Sequence, residues 1–279
     1  LLVRQNLEKF NLDYYRPLGN PAKFIHALTK HFSRCKDELI APADYLKYAE
    51  NLKLDTDNAH TSAVGDEVAR LNEVANAYHV YNQLLLDNNA LDFGDLINYT
   101  LKLFKERPKI LDAYRQKFKY LLVDEFQDTN LAQYELIKML AAPKNNLTVV
   151  GDDDQSIYKF RGASVSNILH FKTDYPQAEL ITLTKNFRSE QNILDLSYKL
   201  IKNNDPDRLE TKLKIDKKLV AHKTGRGIIE KLVGATGEQE AELVVKKILE
   251  LKTPENMWSD FAILTRANSH ASVFVQTLE

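Results

Sequence analysis

Two adjacent carboxylates, Asp124 and Glu125, come directly after the apolar run at residues 120–123. The run predicts a buried strand, and the ligands of an α/β sheet bind at the carboxyl ends of its strands. One carboxylate there can hold Mg²⁺, which prefers oxygen ligands, while its neighbour deprotonates a water that attacks a phosphate. A turn that caps the next helix is the other interpretation, and it is the better one for residues 128–130.

A second polar segment, residues 151–163, follows the apolar run at residues 147–150 in the same way. Gln155 in this segment carries an amide that can sense the γ-phosphate of a nucleotide or the water that attacks it. The three consecutive aspartates at residues 152–154 fit a turn, and they also fit the site of a metal-dependent hydrolase. Both interpretations of the aspartates remain open on the residues alone.

Aromatic and cationic side chains alternate further along this segment, at Tyr158, Lys159, Phe160 and Arg161. This mixture suits single-stranded nucleic acid, because bases stack on rings while phosphates meet cations. A surface loop with one ring packed into the core would show the same residues. The alternation therefore indicates a candidate DNA-binding segment and does not establish one.

A third candidate, Arg188, lies where an apolar run at residues 180–183 gives way to a predicted helix at about residues 190–202. Ser189 is the expected N-cap of this helix. A cation is disfavoured at the positive end of the helix dipole, so its presence favours a phosphate-binding role. The neighbouring Phe187 is interpreted, from the residues alone, as a core side chain.

Several elements must position these residues. Three short apolar runs, at residues 120–123, 147–150 and 180–183, alternate with helices, the first of which spans residues 131–142 and can be capped by Asn130. Buried strands that alternate with helices predict an α/β fold with a largely parallel sheet. The first 90 residues show only helical periodicity.

The last third of the chain predicts a second α/β unit after a charged connection. Residues 203–227 lack apolar periodicity, and strands are expected at residues 228–233 and 261–264, on either side of a helix at residues 238–251. The basic stretch at residues 208–226 is interpreted as a solvated part of the connection.

Composition sets broad limits on the class of protein. The 279 residues are 44% hydrophobic and 28% charged, with a formal net charge of -1 and a single cysteine, Cys35. This is an ordinary globular composition without a disulfide framework or an apolar run long enough to span a bilayer. A cytoplasmic protein with no membrane partner is expected. The nearly balanced charge does not by itself suggest DNA as a ligand.

The polar segments, taken in their order and spacing, resemble motifs II, III and IV of the UvrD/PcrA/Rep branch of superfamily 1 helicases. They read DEFQDTN at residues 124–130, GDDDQSIYKFRGA at residues 151–163 and LTKNFRS at residues 183–189. Similarity extends to LDFGDL at residues 91–96, SRCKDELIAP at residues 33–42 and FAILTRAN at residues 261–268. The resemblance therefore covers nearly the whole chain.

The resemblance implies an ATP and Mg²⁺ site. Asp124 would bind the metal with Glu125 beside it, and Glu125 would be the general base. Gln155 would couple the γ-phosphate to DNA, and Arg188 would contact that phosphate. Phe187 stands where the family usually has a tyrosine that stacks on adenine.

The resemblance also implies contacts to single-stranded DNA and to junctions of single- and double-stranded DNA. The residues implied are Tyr158, Phe160, Arg161, Arg266 and Asn268, with Phe160 in the place of a common tryptophan. Protein partners are not implied. The activity implied is ATP-driven 3′ to 5′ movement and duplex unwinding in DNA repair or replication.

The fold implied is that of a RecA-like P-loop NTPase, with helices on both faces of a parallel sheet. Residues 1–90 would be a helical subdomain inserted in the first motor domain, and residues 91–205 would be part of that domain. Residues 206–227 would be a linker, and residues 228–279 the start of a second RecA-like domain.

No G-x-x-x-x-G-K-[ST] phosphate loop occurs among the 279 residues. The resemblance places that loop upstream of Leu1 and the later motifs beyond Glu279, so the 279 residues alone are expected to be inactive. One alternative is a non-catalytic DNA- or partner-binding module that retains the helicase fold. Another is a metal-dependent nuclease or phosphohydrolase built on Asp124, Glu125 and residues 152–154.

Overall fold

The computed structural model describes residues 1–56, 62–156 and 165–279, and it divides the chain into two compact units. The first unit comprises Leu1–Ile181 and Asn204–Ile215, and the second comprises Thr182–Asn203 and Asp216–Glu279. In these ranges, no helix has both the length and the apolar character that a membrane crossing requires.

Helices predominate in the described residues. The α-helices are α1 (Leu2–Gln5), α2 (Ile25–Asp37), α3 (Pro42–Thr56), α4 (Ser62–Asp87), α5 (Phe93–Glu106), α6 (Pro108–Lys117), α7 (Leu131–Ala141), α8 (Val165–Asp174), α9 (Gln191–Ile201), α10 (Leu209–Leu213), α11 (Gly237–Leu251) and α12 (Asn268–Leu278). The strands are β1 (Leu121–Val123), β2 (Leu147–Val149), β3 (Lys185–Asn186) and β4 (Val220–Ala221).

The N-terminal helices share a hydrophobic core, in agreement with the helical periodicity of the first 90 residues. Phe32 of α2 and Tyr78 of α4 are buried and stack with their ring centroids 5.0 Å apart. The Tyr78 hydroxyl donates to the carbonyl oxygen of Ile40 at 3.1 Å, which satisfies its polar end. This core therefore combines aromatic packing with a satisfied hydroxyl group.

A buried ion cluster joins α2 to the start of α5. Lys36 Nζ lies 2.7 Å from a carboxylate oxygen of Asp92 and 2.7 Å from one of Asp95. Asp92 also caps α5 through a reciprocal capping box with Asp95, and Tyr81 donates its hydroxyl to Asp92 at 2.9 Å. A Cβ at Gly94 would lie 2.8 Å from Lys36 Cβ, so glycine permits this close approach.

The α/β part of the first unit has the predicted parallel pairing. Strand β1 pairs in parallel with β2, with Leu121 opposite Leu147 and Val123 opposite Val149. Helix α7 connects the two strands, and its predicted cap is confirmed, because Asn130 Oδ1 accepts from the Gln133 amide at 2.8 Å. The α/β class is thus confirmed, whereas a wider sheet with helices on both faces stays a prediction.

Three predicted strands are wrong. Residues 180–183, 228–233 and 261–264 form no paired strand, and Leu183, Ile228 and Leu264 expose 75%, 78% and 94% of their surface. A β-strand requires a neighbour that takes its backbone hydrogen bonds, and the described residues place no paired strand beside these runs. The strand of this region is β3, which begins two residues after the predicted run and pairs in parallel with β4.

The start of α9 also differs from the prediction. The helix begins at Gln191 with Glu190 as its N-cap, so Ser189 is not the cap. Arg188 therefore precedes the helix by three positions, and the helix dipole gives a weaker argument about its role than the sequence suggested.

The charged stretch after α9 is not entirely solvated. Helix α10 and strand β4 lie within it, and the Arg208 side chain is only 4% exposed. Its guanidinium donates from Nε and Nη2 to the two carboxylate oxygens of Asp154, each at 2.7 Å. A bidentate pair of this kind offsets the cost of burying both charges, which explains how this arginine is accommodated.

Candidate active site

The Asp124–Glu125 pair lies at the carboxyl end of β1, where the sequence placed it. Both side chains are exposed. The Val150 amide donates to Val123 O at 2.8 Å, and the Phe126 amide donates to Val150 O at 2.9 Å. The backbone on either side of the two carboxylates is therefore fixed to the end of β2.

Glu125 has a left-handed backbone conformation, with φ 49° and ψ 42°. A residue with a Cβ loses about 1–2 kcal/mol in this region, so the surrounding contacts must hold it there. The Glu125 amide donates to Asp124 Oδ1 at 2.9 Å, and the Glu125 carbonyl accepts from the Asp128 amide at 2.9 Å. Strain of this kind is concentrated at functional sites, although it does not identify one alone.

Phe126 anchors the turn in the core. Its side chain is fully buried and makes edge-to-face contacts with Tyr134 of α7 and Phe171 of α8, both with centroids 5.5 Å apart. Aromatic pairs in this arrangement contribute about 0.5–1.5 kcal/mol beyond their buried area. The two carboxylates that precede Phe126 are consequently held on a rigid support.

Gln127, which the sequence analysis did not single out, connects Glu125 to the loop after β2. Its side chain is 1% exposed, Nε2 donates to Glu125 Oε2 at 2.7 Å, and Oε1 accepts from the Asp152 amide at 3.0 Å. A carboxylate only accepts and a backbone N–H only donates, so these partners determine the orientation of the amide.

The loop after β2 places Gln155 close to this connection. Asp152 Oδ1 accepts from the Asp154 amide at 3.2 Å, and Asp152 Oδ2 accepts from Gln155 Nε2 at 2.9 Å. Gln155 itself is exposed. Hydrogen bonds therefore run from the Gln155 amide through Asp152 and Gln127 to Glu125.

The three aspartates of this loop have structural roles. Their carboxylate oxygens lie within 4.8 Å of one another, but Asp154 pairs with Arg208 and Asp153 Oδ2 accepts from the Leu209 amide at 2.7 Å. Asp152 holds the turn. These partners favour the turn interpretation of the aspartates over that of a hydrolase metal site.

The surroundings of the Asp124 and Glu125 carboxylates are acidic. Burial first, and then the charge of Glu125, raise the pKa of Asp128 above its ordinary value. Carboxylate oxygens are the ligands that Mg²⁺ prefers, so the exposed Asp124 and Glu125 form a donor set that fits this cation. A nucleotide would supply further oxygen ligands.

The second unit holds Phe187 and Arg188 in a defined turn. Asn186 Oδ1 accepts from the Arg188 and Ser189 amides at 2.9 and 2.8 Å. Phe187 is 64% exposed and Arg188 is also exposed, so the interpretation of Phe187 as a core residue is wrong. The Phe187 ring instead lies beside His222, with centroids 4.8 Å apart. An exposed aromatic side chain of this kind is available to stack on a base.

The candidate DNA-binding residues are described only in part. Tyr158, Phe160 and Arg161 lie outside the described residues. Arg266 and Asn268 are exposed, and Asn268 is the first residue of α12 in the second unit. Asp124, Glu125 and Gln155 belong to the first unit, whereas the Phe187–Arg188 turn belongs to the second.

Two family models match consecutive parts of the chain. The one described as UvrD/REP helicase N-terminal domain matches residues 3–176, and the one described as UvrD-like helicase C-terminal domain matches residues 181–279. The chain therefore belongs to the UvrD/REP helicase family, and the resemblance drawn from its motifs is confirmed.

The chain is similar to the protein named ATP-dependent DNA helicase PcrA in two staphylococci. It is 38% identical over 276 residues to that of Staphylococcus epidermidis strain RP62A and to that of Staphylococcus aureus strain COL. Each match covers 99% of this chain and 34% of the relative, so the chain spans about one third of the length of these curated relatives.

Proposed function

We propose that the protein is an ATP-dependent DNA helicase in which Glu125 is the general base of ATP hydrolysis. The observation that carries the proposal is the position of Glu125 at the carboxyl end of β1, hydrogen-bonded to a buried amide. The oxygen of that amide accepts a hydrogen bond from Asp152, in the loop that contains Gln155. Family membership and the naming of the relatives as ATP-dependent DNA helicases support the same activity.

In the proposed reaction, Glu125 orients a water and takes its proton as the water attacks the γ-phosphate. Asp124, with Glu125 beside it, would hold Mg²⁺, and the cation would neutralise charge that develops on the phosphate oxygens. Gln155 would contact the γ-phosphate or the attacking water. Its hydrogen bond to Asp152 would then make the Glu125 position respond to DNA bound nearby.

The remaining nucleotide contacts are proposed for the second unit. Arg188 would contact the γ-phosphate, since a guanidinium presents several donors to phosphate oxygens. Phe187 would stack on the adenine ring, and its exposure supports this role.

Single-stranded DNA and its junctions with duplex are the proposed substrates. Tyr158 and Phe160 would stack on bases, while Arg161, Arg266 and Asn268 would contact the strand. Movement from 3′ to 5′ and a role in repair or replication are proposed from family resemblance. A cytoplasmic location and the RecA-like domain boundaries at residues 90, 205 and 227 are proposals of the same kind.

A phosphate loop is required for this activity, and the 279 residues contain no G-x-x-x-x-G-K-[ST] sequence. The loop's backbone amides and lysine hold the β- and γ-phosphates. We therefore propose that a polypeptide of these 279 residues alone hydrolyses ATP negligibly.

The test is DNA-stimulated phosphate release by the full-length gene product. Wild type is compared with Glu125→Gln and with Glu106→Gln, a control that removes an exposed carboxylate from α5. We expect stimulated release from wild type and the control and its loss in Glu125→Gln. DNA binding without stimulated release in wild type would favour the non-catalytic module instead.

A further inference from the structure

We propose that Gln127 is a positioning residue that orients the Glu125 carboxylate and makes its position depend on the loop after β2. The inference rests on the proposed function of Glu125 and adds a residue to that site. Gln127 would touch neither nucleotide nor water, so it would act only through Glu125.

Each end of the Gln127 amide has a different partner. The nitrogen donates to the Glu125 carboxylate at 2.7 Å, and the oxygen accepts from the Asp152 amide at 3.0 Å. The side chain is 1% exposed, so water cannot readily replace either partner. Gln127 O in turn lies 3.4 Å from the Ser156 hydroxyl, which donates to it.

Fixing Oε2 has a chemical consequence for Glu125. The Glu125 side chain is exposed and would otherwise sample several rotamers at the end of the strand. A donor held in the core selects one rotamer and occupies Oε2, which leaves Oε1 to receive the proton of the attacking water. A general base must lie within about 3.2 Å of that water, so this selection bears on the rate.

The Gln127 amide also makes the position of the Glu125 carboxylate depend on the loop that contains Gln155. Gln155 donates to Asp152 Oδ2, and the Asp152 amide donates to Gln127. A Cβ on Gly151 would lie 2.9 Å from Gln127 Oε1, so the loop and the amide are already in close contact. A shift of this loop would therefore move the donor that orients Glu125.

The first experiment compares Gln127→Met and Gln127→Glu in the full-length gene product. Methionine has a similar length but loses both hydrogen bonds, whereas glutamate keeps an acceptor for the Asp152 amide and faces Glu125 with a second carboxylate. We expect kcat of ATP hydrolysis to fall about 10- to 100-fold in both, with KM for ATP changed less than about threefold. Gln127→Glu should retain less thermal stability than Gln127→Met, because it buries a second carboxylate against that of Glu125.

Gln133→Met is the matched structural control. It removes a glutamine hydrogen bond from the capping box of α7, in the same sequence segment but without contact to Glu125. We expect this variant to lose stability and to keep the wild-type kcat. A fall in kcat equal to that of Gln127→Met would show that general destabilisation explains both, and the proposal would be wrong.

The decisive experiment combines Gln127→Met with Glu125→Gln. If Gln127 acts through Glu125, its substitution should cause no further loss of the single-turnover rate once the base is removed. Multiplicative losses, or a Gln127→Met rate within twofold of wild type, would overturn the positioning role. A Glu125→Gln rate equal to wild type would overturn the proposed function itself and this inference with it, which distinguishes the two failures.

Discussion

The guanidinium of Arg208 forms a bidentate ion pair with Asp154, although the two residues are 54 positions apart in the chain. Asp154 belongs to the loop that contains Gln155, and Arg208 lies in the short segment, Asn204–Ile215, that returns to the first unit. The Leu209 amide adds a hydrogen bond to Asp153 at 2.7 Å. The loop after β2 is thus held on one side by Gln127 and on another by this segment.

Replacing Arg208 with alanine should strongly destabilise the first unit. Asp154 and Glu210 would lose a buried cationic partner, and breaking a buried ion pair from one side costs about 3–5 kcal/mol. Lys212→Ala is the control, because its ion pair with Asp207 is exposed and is worth at most about 1 kcal/mol. Urea unfolding of the 279-residue chain would measure the free energy of unfolding of both variants. Equal losses of stability would contradict the assignment of Arg208 as a buried ion-pair partner.

Substitutions of Asp124 and of Glu125 in the full-length gene product should have separate effects, the first on metal binding and the second on proton transfer. Glu125→Gln keeps the shape of the side chain and removes the base, so we expect ATP and Mg²⁺ to bind while turnover falls about 10²–10⁴-fold. Asp124→Ala should mainly weaken Mg²⁺-dependent nucleotide binding. Titration of a fluorescent nucleotide against Mg²⁺, paired with steady-state rates, would show the two patterns, and identical patterns would refute the division of roles.

Phe160 should contribute to single-strand binding through stacking. We expect Phe160→Ala to weaken binding by about 1–3 kcal/mol, with little dependence on salt because stacking releases no counterions. Arg161→Ala should instead reduce the slope of log affinity against log salt by about one counterion. Affinities at several salt concentrations, with a melting curve for each variant, would test this. Unchanged affinity together with a large drop in Tm would identify Phe160 as a core side chain.

Asp37 should make the stability of the chain depend on pH. Burial first, and then the charges of Glu38 and Asp92, raise its pKa from 3.8 to about 6. The folded state therefore binds the proton more tightly than the unfolded state, and the free energy of unfolding falls as pH rises between these two values. Asp37→Asn keeps an oxygen that can accept from Asn130 Nδ2, which lies 2.7 Å from Asp37 Oδ1.

We expect Asp37→Asn to be more stable than wild type at pH 7. Near pH ~4, where Asp37 is protonated in the folded state, the stability of the variant should approach that of wild type. Asp66→Asn, which changes an exposed carboxyl on α4, is the matched control and should follow the wild-type curve. Thermal melts across this pH range would measure the difference. A parallel offset of the Asp37→Asn curve at every pH would mean that the substitution acts through packing.

Local signals in the sequence predicted part of the site and its support. An apolar run followed by two carboxylates predicted the carboxyl end of β1, and Asn130 predicted the start of α7, because both depend on neighbours within a few residues. The role of Gln127 depends on Asp152, which is 25 positions away, and no local pattern reveals such a contact.

Tertiary context also explains the wrong predictions. The run at residues 180–183 has the residue types of a strand, but strand formation depends on a paired neighbour that a sequence pattern does not specify. Arg208 lies in a charged stretch that predicted a solvated side chain. Its burial is possible because it pairs with the carboxylate of Asp154, which is distant in the chain. The apolar ring of Phe187 predicted a core side chain, yet the turn held by Asn186 exposes it.

The discontinuous chain path of the two units limits how the protein can be dissected into independently folding fragments. A recombinant fragment that ends at residue 181 would lack Arg208 and leave Asp154 without that partner, although it would contain most of the first unit. A fragment that begins at residue 216 would contain β4 without β3, which supplies its parallel neighbour. A single protease cut between residues 215 and 216 would leave the first unit whole but would divide the second, because residues 182–203 would stay covalently attached to the N-terminal piece.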